Sequence, residues 1–235
     1  MNDPRDVVER LVCQLDRAAA LRAATRDKPR LETARQRVRA WQSVRLARTH
    51  ADLLASPRMG LAATFFLTDL YNAENLARVG ANVRRIVPAM KKLLPAAGIE
   101  TVVDAIELEA LSEELDLAMA TALAARSGEI SAGTYGDAYR KVGRRADRER
   151  QIQLVEDLGK SLDHLVRQPF VGTTLSLMHV PAHVAGLADL QDFLQRGYRA
   201  FVSMGGAAEF LGRIVGRERR LLEALFTGDD SLLGV

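Results

Sequence analysis

The chain has 235 residues, 48% of them hydrophobic and 27% charged, a balance that excludes global disorder and supplies enough apolar surface for a substantial core. With 33 basic and 30 acidic side chains the formal charge is +3, too small by itself to imply nucleic acid or an anionic membrane as partner. The lone Cys13 excludes an internal disulfide and any multi-cysteine metal centre. Met1 to Pro4 lack the basic-then-apolar order of a secretion signal, and the longest apolar run, Leu117 to Ala125, falls short of the roughly 20 residues that span a bilayer. A cytoplasmic protein without membrane insertion is expected.

Pro4 and Pro29 stand where helices begin, because the first helical residue needs no amide hydrogen. Two long helices follow, over 4–25 and 30–54. In the second, Leu31, Ala34, Val38, Trp41, Val44, Ala47, Ala51 and Leu54 form a stripe with a step below 3.6 residues, which predicts wrapping around a neighbour or a bend near Val44. Ser56-Pro57 closes this pair. Residues 60–71 carry Leu61, Phe65, Phe66, Leu67 and Leu70 around most of the circumference, the pattern of a helix enclosed by others, so this segment is expected at the centre.

Residues 82–94 read as a helix bent at Pro88. From Ile99 to Leu123 the apolar face switches between Ile106 and Leu108, which predicts a break near Glu107. Gly128 to Gly136 reads as a turn region, followed by a short helix through Tyr139 and a longer one carrying Ile152 to Leu165. Two final helices run over 187–204 and 207–226, parted by Gly205-Gly206, and residues 227–235 read as a loose tail. No β-branched alternation of strand length and no solenoid repeat occurs. The expected architecture is all-α: one domain over 1–226 with nine to eleven helices, comprising a long N-terminal pair (1–56) and a main bundle (60–226) around the apolar helix.

Charge is segregated. Between Arg22 and Arg48 nine basic residues face two acidic ones, whereas Glu100 to Asp116 holds seven acidic and no basic residues. Solvated faces, or an acidic helix docked against basic ones, explain this; a polyanion-binding surface is the sharper alternative. Arg35, Arg37 and Arg39 point in different directions, and no base-reading cluster follows the glycine turn at Gly133, so nucleic-acid binding ranks last. Glu109, Glu113 and Asp116 share a face opposite Leu111 and Leu115, and solvent is their expected neighbour.

No catalytic constellation is complete. His179 and His183 have metal-ligand spacing, but Pro181 between them is expected to interrupt the helix, and no metal site is assigned. Glu-x-x-His, the di-iron signature of helical bundles, is absent. Gly159-Lys160-Ser161 lacks the first glycine of a phosphate loop, and Ser203 lacks the first glycine of a nucleophile elbow. A lone histidine suffices to ligate haem, which keeps a haem- or cofactor-binding enzyme or electron-transfer protein as the alternative, with no cofactor assigned. Asp69 falls near the C-terminal end of the apolar helix, where the macrodipole disfavours its charge; if buried it needs a cation, with Arg144, Arg145, Arg148 and Arg217 as candidates.

The stretches FFLTDLYNAENL (65–76), ELEALSEELDLAM (107–119), YRKVGRRADRERQI (139–152) and FLGRIVGRERRLLEALF (210–226) resemble an uncharacterised all-helical family of proteobacterial proteins. In that family glycine follows the tyrosine of the first motif; Asn72 stands there here, and asparagine tolerates the same left-handed cap. The resemblance implies fold and localisation and names no activity. The function expected is non-catalytic: binding of a protein partner or a small apolar ligand beside the central helix. Phe65, Phe66, Asp69 and Tyr71 are its candidate pocket and Arg217 and Glu218 its polar rim, and a homodimer through the N-terminal pair is possible.

Overall fold

The computed structural model describes residues 4–70, 82–87, 96–125 and 128–234. Tyr71, Asn72 and the bend expected at Pro88 lie outside the described residues. Every regular element among those described is a helix: α1 (Pro4–Ala23), α2 (Pro29–Thr49), α3 (Ala51–Leu54), α4 (Gly60–Phe65) continuing into a π turn (Phe66–Leu70), and α5 (82–87). There follow α6 (Ala96–Leu123), α7 (Ala132–Val142), α8 (Arg145–Val166), α9 (Val171–Leu177), α10 (His179–Val184), α11 (Ala188–Met204), α12 (Ala208–Thr227) and a 3₁₀ turn (Ser231–Leu233).

Local chemistry sets the boundaries. Lys28 precedes Pro29, which opens α2 without forfeiting a hydrogen bond. Ser131 and Thr134 form a reciprocal capping box, in which the Thr134 amide donates to Ser131 Oγ at 3.2 Å and the Ser131 amide to Thr134 Oγ1 at 2.8 Å. That box starts α7 at Ala132, so Gly133 and Gly136 lie within a helix and not in the expected turn. Gly136 lets the Asp230 carboxylate approach α7 closely; a Cβ there would meet it at 2.1 Å and make that side chain shift. Gly159, the glycine of the false phosphate loop, lets Leu211 of α12 press on α8, where a Cβ would meet Leu211 at 2.4 Å.

The hub is α6, which packs against α1, α2, α7 and α8. It runs unbroken through Glu107, so no break is needed there. The switch of apolar face reflects a change of partner: Ile99, Val103 and Ile106 meet Val7, Val8 and Leu11 of α1, Leu111 and Leu115 meet Leu154 of α8, and Met119 and Leu123 join α2, α7 and α12. Residues 60–70 are not the fully enclosed centre that their composition suggests. They pack chiefly on α3 and α11, with Phe65 and Phe66 buried but Leu61 61% exposed. α2 likewise departs from its apolar stripe, burying Arg35, Gln42 and Arg45 while Val44 faces solvent. α6 packs along both α1 and α2 within the same chain.

The tail also differs from expectation. Leu233 is 1% exposed in the cluster formed by α2, α7 and α12, Asp230 accepts from Arg140 Nη1 at 2.8 Å, and the Gly234 carbonyl accepts from Arg48 at 3.2 Å. Composition hid this because only one of its two leucines is buried; Leu232 is half exposed. Leu233→Ala is expected to lower the unfolding free energy by about 2–4 kcal/mol in urea titrations, and Leu232→Ala by about 0.5 kcal/mol or less. Equal, small effects of the two would mean that the tail does not pack.

Candidate functional site

Successive turns of α6 carry Glu107, Glu109, Glu113, Glu114 and Asp116, and arginines from three helices reach them. Arg17 and Arg22 of α1 pair with Glu114 and Glu109. From α2, Arg35 donates to Glu113 at 2.8 Å, and Arg39 to Glu113 at 2.7 Å and Asp116 at 2.9 Å. Arg150 of α8 meets Glu107 at 2.9 Å, and Arg144, just before that helix, meets Glu114 at 2.8 Å. Glu109 and Glu113 are each 2% exposed, so the expectation of a solvated acidic face fails and the docked alternative holds. Glu113 takes both Arg35 and Arg39, one turn apart on α2, while Glu109, one turn back along α6, faces Arg22 of α1.

Burial raises the Glu109 carboxyl above its usual range, against the pull of Arg22, and raises Asp116 likewise against Arg39. On the far wall burial also acts on Glu218, yet Arg45 at 2.6 Å and His50 at 3.1 Å more than offset it and hold Glu218 at about 2. Burial pushes the Tyr139 phenol up to about 12, with the Arg148 cation opposing.

These groups surround a cavity of about 120 Å³ enclosed by α2, α4 with its π turn, α6, α7, α8 and α12. One wall is apolar, with Leu46, Leu53, Ala63, Phe66, Ile214 and Leu222, and the other is polar, with Arg39, Gln42, Glu113, Asp116, Tyr139 and Arg148. Trp41 stacks on Tyr135, whose hydroxyl accepts from Gln42 at 3.1 Å and which also lines the cavity.

Arg148 is the anomaly. It is 6% exposed, its guanidinium lies 4.7 Å from the centroid of the Tyr139 ring, and its Nε and one Nη are buried without a hydrogen-bond partner. Glu109 and Glu113 each present one buried carboxylate oxygen in the same condition. Buried polar groups are normally satisfied, so several such side chains around one cavity, His50 with its Nδ1 among them, make it the candidate site.

The residues singled out from sequence divide. Phe66 lines the cavity, edge-on to Phe210 at 5.4 Å, and Glu218 lies in its wall. Phe65 points elsewhere, against Phe193 and the Cβ-less face of Gly197. Asp69 is buried, and its cation is Arg196 of α11, at 2.6 and 3.0 Å, not one of the four arginines proposed. Arg217 serves α3, donating to Asp52 at 2.6 and 2.7 Å and to the Thr49 carbonyl at 3.0 Å. Tyr71 lies outside the described residues. Arg148, Tyr139, His50 and the α6 carboxylates were missed; the opposed charge of 22–48 and 100–116 was the available signal for the carboxylates.

A family model covers residues 21–232, from the end of α1 through Leu232. The chain belongs to the DUF8198 family, a domain of unknown function. The match takes in every helix that walls the cavity and leaves out most of α1, so the polar interior lies within the family unit. No curated protein and no solved structure matches the chain. No helix among the described residues is long and apolar enough to cross a membrane.

Because the folded state holds Glu218 near 2 while an unfolded glutamate titrates near 4.5, the pair with Arg45 and His50 contributes stability above about pH 4.5 that is lost as pH falls towards 2. Glu218→Gln is expected to lower the unfolding free energy on the order of 3 kcal/mol at pH 7, with the difference from the parent shrinking to nothing near pH 2. A difference independent of pH across that window would rule this assignment out. Glu109 and Asp116 titrate in the opposite sense and cancel in the comparison.

Proposed function

We propose that this protein binds a small molecule in the interior cavity beside the α4 helix and its π turn. The ligand has a compact apolar body and an anionic group. Arg148 carries the reading: a guanidinium taken from water without a hydrogen-bonded anion is costly, Asp116 attracting it only through space, and a bound carboxylate or phosphate would offset that cost through paired charge-assisted hydrogen bonds. Arg39 and Arg45, the other cations of the wall, are already held by carboxylates. A hydroxyl or amine on the same ligand would meet the unpartnered oxygens of Glu109 and Glu113.

Size narrows the class further. About 120 Å³ is close to the ~150 Å³ engineered cavity that binds benzene and below the ~300–1,000 Å³ typical of drug-sized ligands. A single-ring or short-chain acid fits; a macrocyclic cofactor such as haem is too large for it. The enclosed wall also favours the ligand half of the original expectation over the partner-protein half. The π turn that brings Phe66 and Leu67 to the cavity is the kind of helical irregularity that recurs at binding sites.

Isothermal titration with benzoate and with nitrobenzene, its neutral isostere, tests the reading. Benzoate is expected to bind one per chain, at least tenfold more tightly than nitrobenzene, and Arg148→Met is expected to abolish the preference. The same variant should unfold at equal or higher temperature than the parent, since it removes a buried, unpaired charge. Failure of benzoate to bind, together with destabilisation of Arg148→Met by about 2 kcal/mol or more, would show that Arg148 is structural.

A further inference from the structure

A second constellation lies on α10 and α11, and none of its residues lines the cavity. From sequence, Pro181 was expected to separate His179 from His183. The structure removes that objection, because α10 begins at His179 and Pro181 is its third residue. Amides of a first helical turn have no acceptor within the helix, so proline there breaks nothing. The ladder continues around it, Ala182 donating to Met178 at 2.9 Å and Ala185 to Pro181 at 3.0 Å. The two imidazoles therefore share a face, their ring centroids 4.3 Å apart.

Asp192 of α11 completes the group, its Oδ1 3.3 Å from His183 Nε2. One ligand atom from each of the three residues lies within 4.8 Å of the others. Zinc bonds nitrogen and carboxylate oxygen at about 2.0–2.2 Å, so closing the three onto one ion takes side-chain shifts of roughly 1 Å. His183 and Asp192 satisfy one another, but His179 Nδ1 is buried with no hydrogen-bond partner. Unrelated groups fix the scaffold: Arg85 of α5 donates to the carbonyls of Ala185 and Gly186 at 3.2 and 3.1 Å, and Gln191 to that of Leu175 at 2.6 Å. The corner of α9, α10 and α11 is thus braced without using the three candidate ligands.

We propose that His179, His183 and Asp192 bind a single divalent transition-metal ion, zinc being the one the donors suit best. Two imidazoles and a carboxylate disfavour magnesium and calcium, which prefer all-oxygen shells. Two neutral rings and one anion leave a divalent ion partly uncompensated, and three protein ligands leave a tetrahedral position for water.

Cobalt(II) provides the readout, since its visible absorption reports inner-sphere coordination. The full chain carrying Cys13→Ser, to remove the exposed thiol as a competing ligand, is titrated with cobalt and then with zinc. One cobalt per chain is expected, with zinc displacing it. His183→Ala and Asp192→Asn should each weaken binding at least tenfold, and so should His179→Gln, which keeps a polar side chain if alanine there perturbs α10. His164→Ala, an exposed histidine on α8, should change nothing. Absence of a saturable one-to-one spectrum overturns the proposal, and so does cobalt binding that survives His183→Ala or that falls equally in His164→Ala. Circular dichroism of each variant establishes that the fold is retained.

Discussion

A helix that carries carboxylates on its inner face cannot occupy the middle of a protein unless cations come with it. Glu109 and Glu113 are as buried as the leucines beside them, and each would cost several kcal/mol if left alone in the interior. Arg22, Arg35 and Arg39 lift that penalty, and in doing so they fix how α1 and α2 lie along α6. Sliding α2 by one residue would keep an apolar contact somewhere but would part Arg35 and Arg39 from Glu113. Buried ion pairs add little net stability over well-packed apolar side chains, so their contribution here is register.

The cavity follows from the same constraint. Guanidinium and carboxylate groups need directional partners, so the charged wall cannot be overlaid by methyl groups from α4 and α12 as freely as an apolar wall could. Space remains where the Phe66 side of the fold meets the Arg39 to Asp116 side. Most of the wall settles its own charge: Glu218 lies between Arg45 and His50, and Asp116 lies on Arg39. Arg148 makes no such hydrogen bond: it lies over the face of Tyr139 and attracts Asp116 only through space. A ring face is a weak substitute for a carboxylate, worth about 0.5–2 kcal/mol against a desolvation cost of several.

Helical periodicity is a local property, and it located the long helices though not the short α9 and α10; burial is a relation between helices, and there the sequence was less legible. Pro29, Ser56-Pro57 and Gly205-Gly206 marked ends that the structure keeps close to where they were read. The segment at 60–71 looked central because it is apolar on most sides, whereas α6, with seven acids in its length, looked peripheral. Counting apolar residues misleads when charges are buried in pairs, because each member of a pair reads as surface until its partner is known. The same blindness hid Arg148 among the arginines of its segment and sent Asp69 to the wrong cation, since nothing local to Arg196 marks it as the partner. Pro181 was misjudged for a different reason: its effect depends on whether it falls in the first turn of a helix or beyond it, and α10 has no capping side chain to announce its start.

An unpaired buried arginine and a satisfied one have opposite consequences for selection. The Arg39 guanidinium donates to two carboxylates, so replacing it takes from Asp116 its hydrogen-bonded cation, leaves Glu113 with Arg35 alone and harms the fold. Replacing Arg148 breaks no hydrogen bond to a carboxylate among the described residues, and Asp116, which feels its charge, keeps Arg39; a well-fitting apolar side chain there would relieve the interior. A chain shaped by stability alone would drift towards that replacement. On the proposed reading the guanidinium has its benefit in binding, and the charge that the fold leaves without a hydrogen bond would be the group that chooses the ligand.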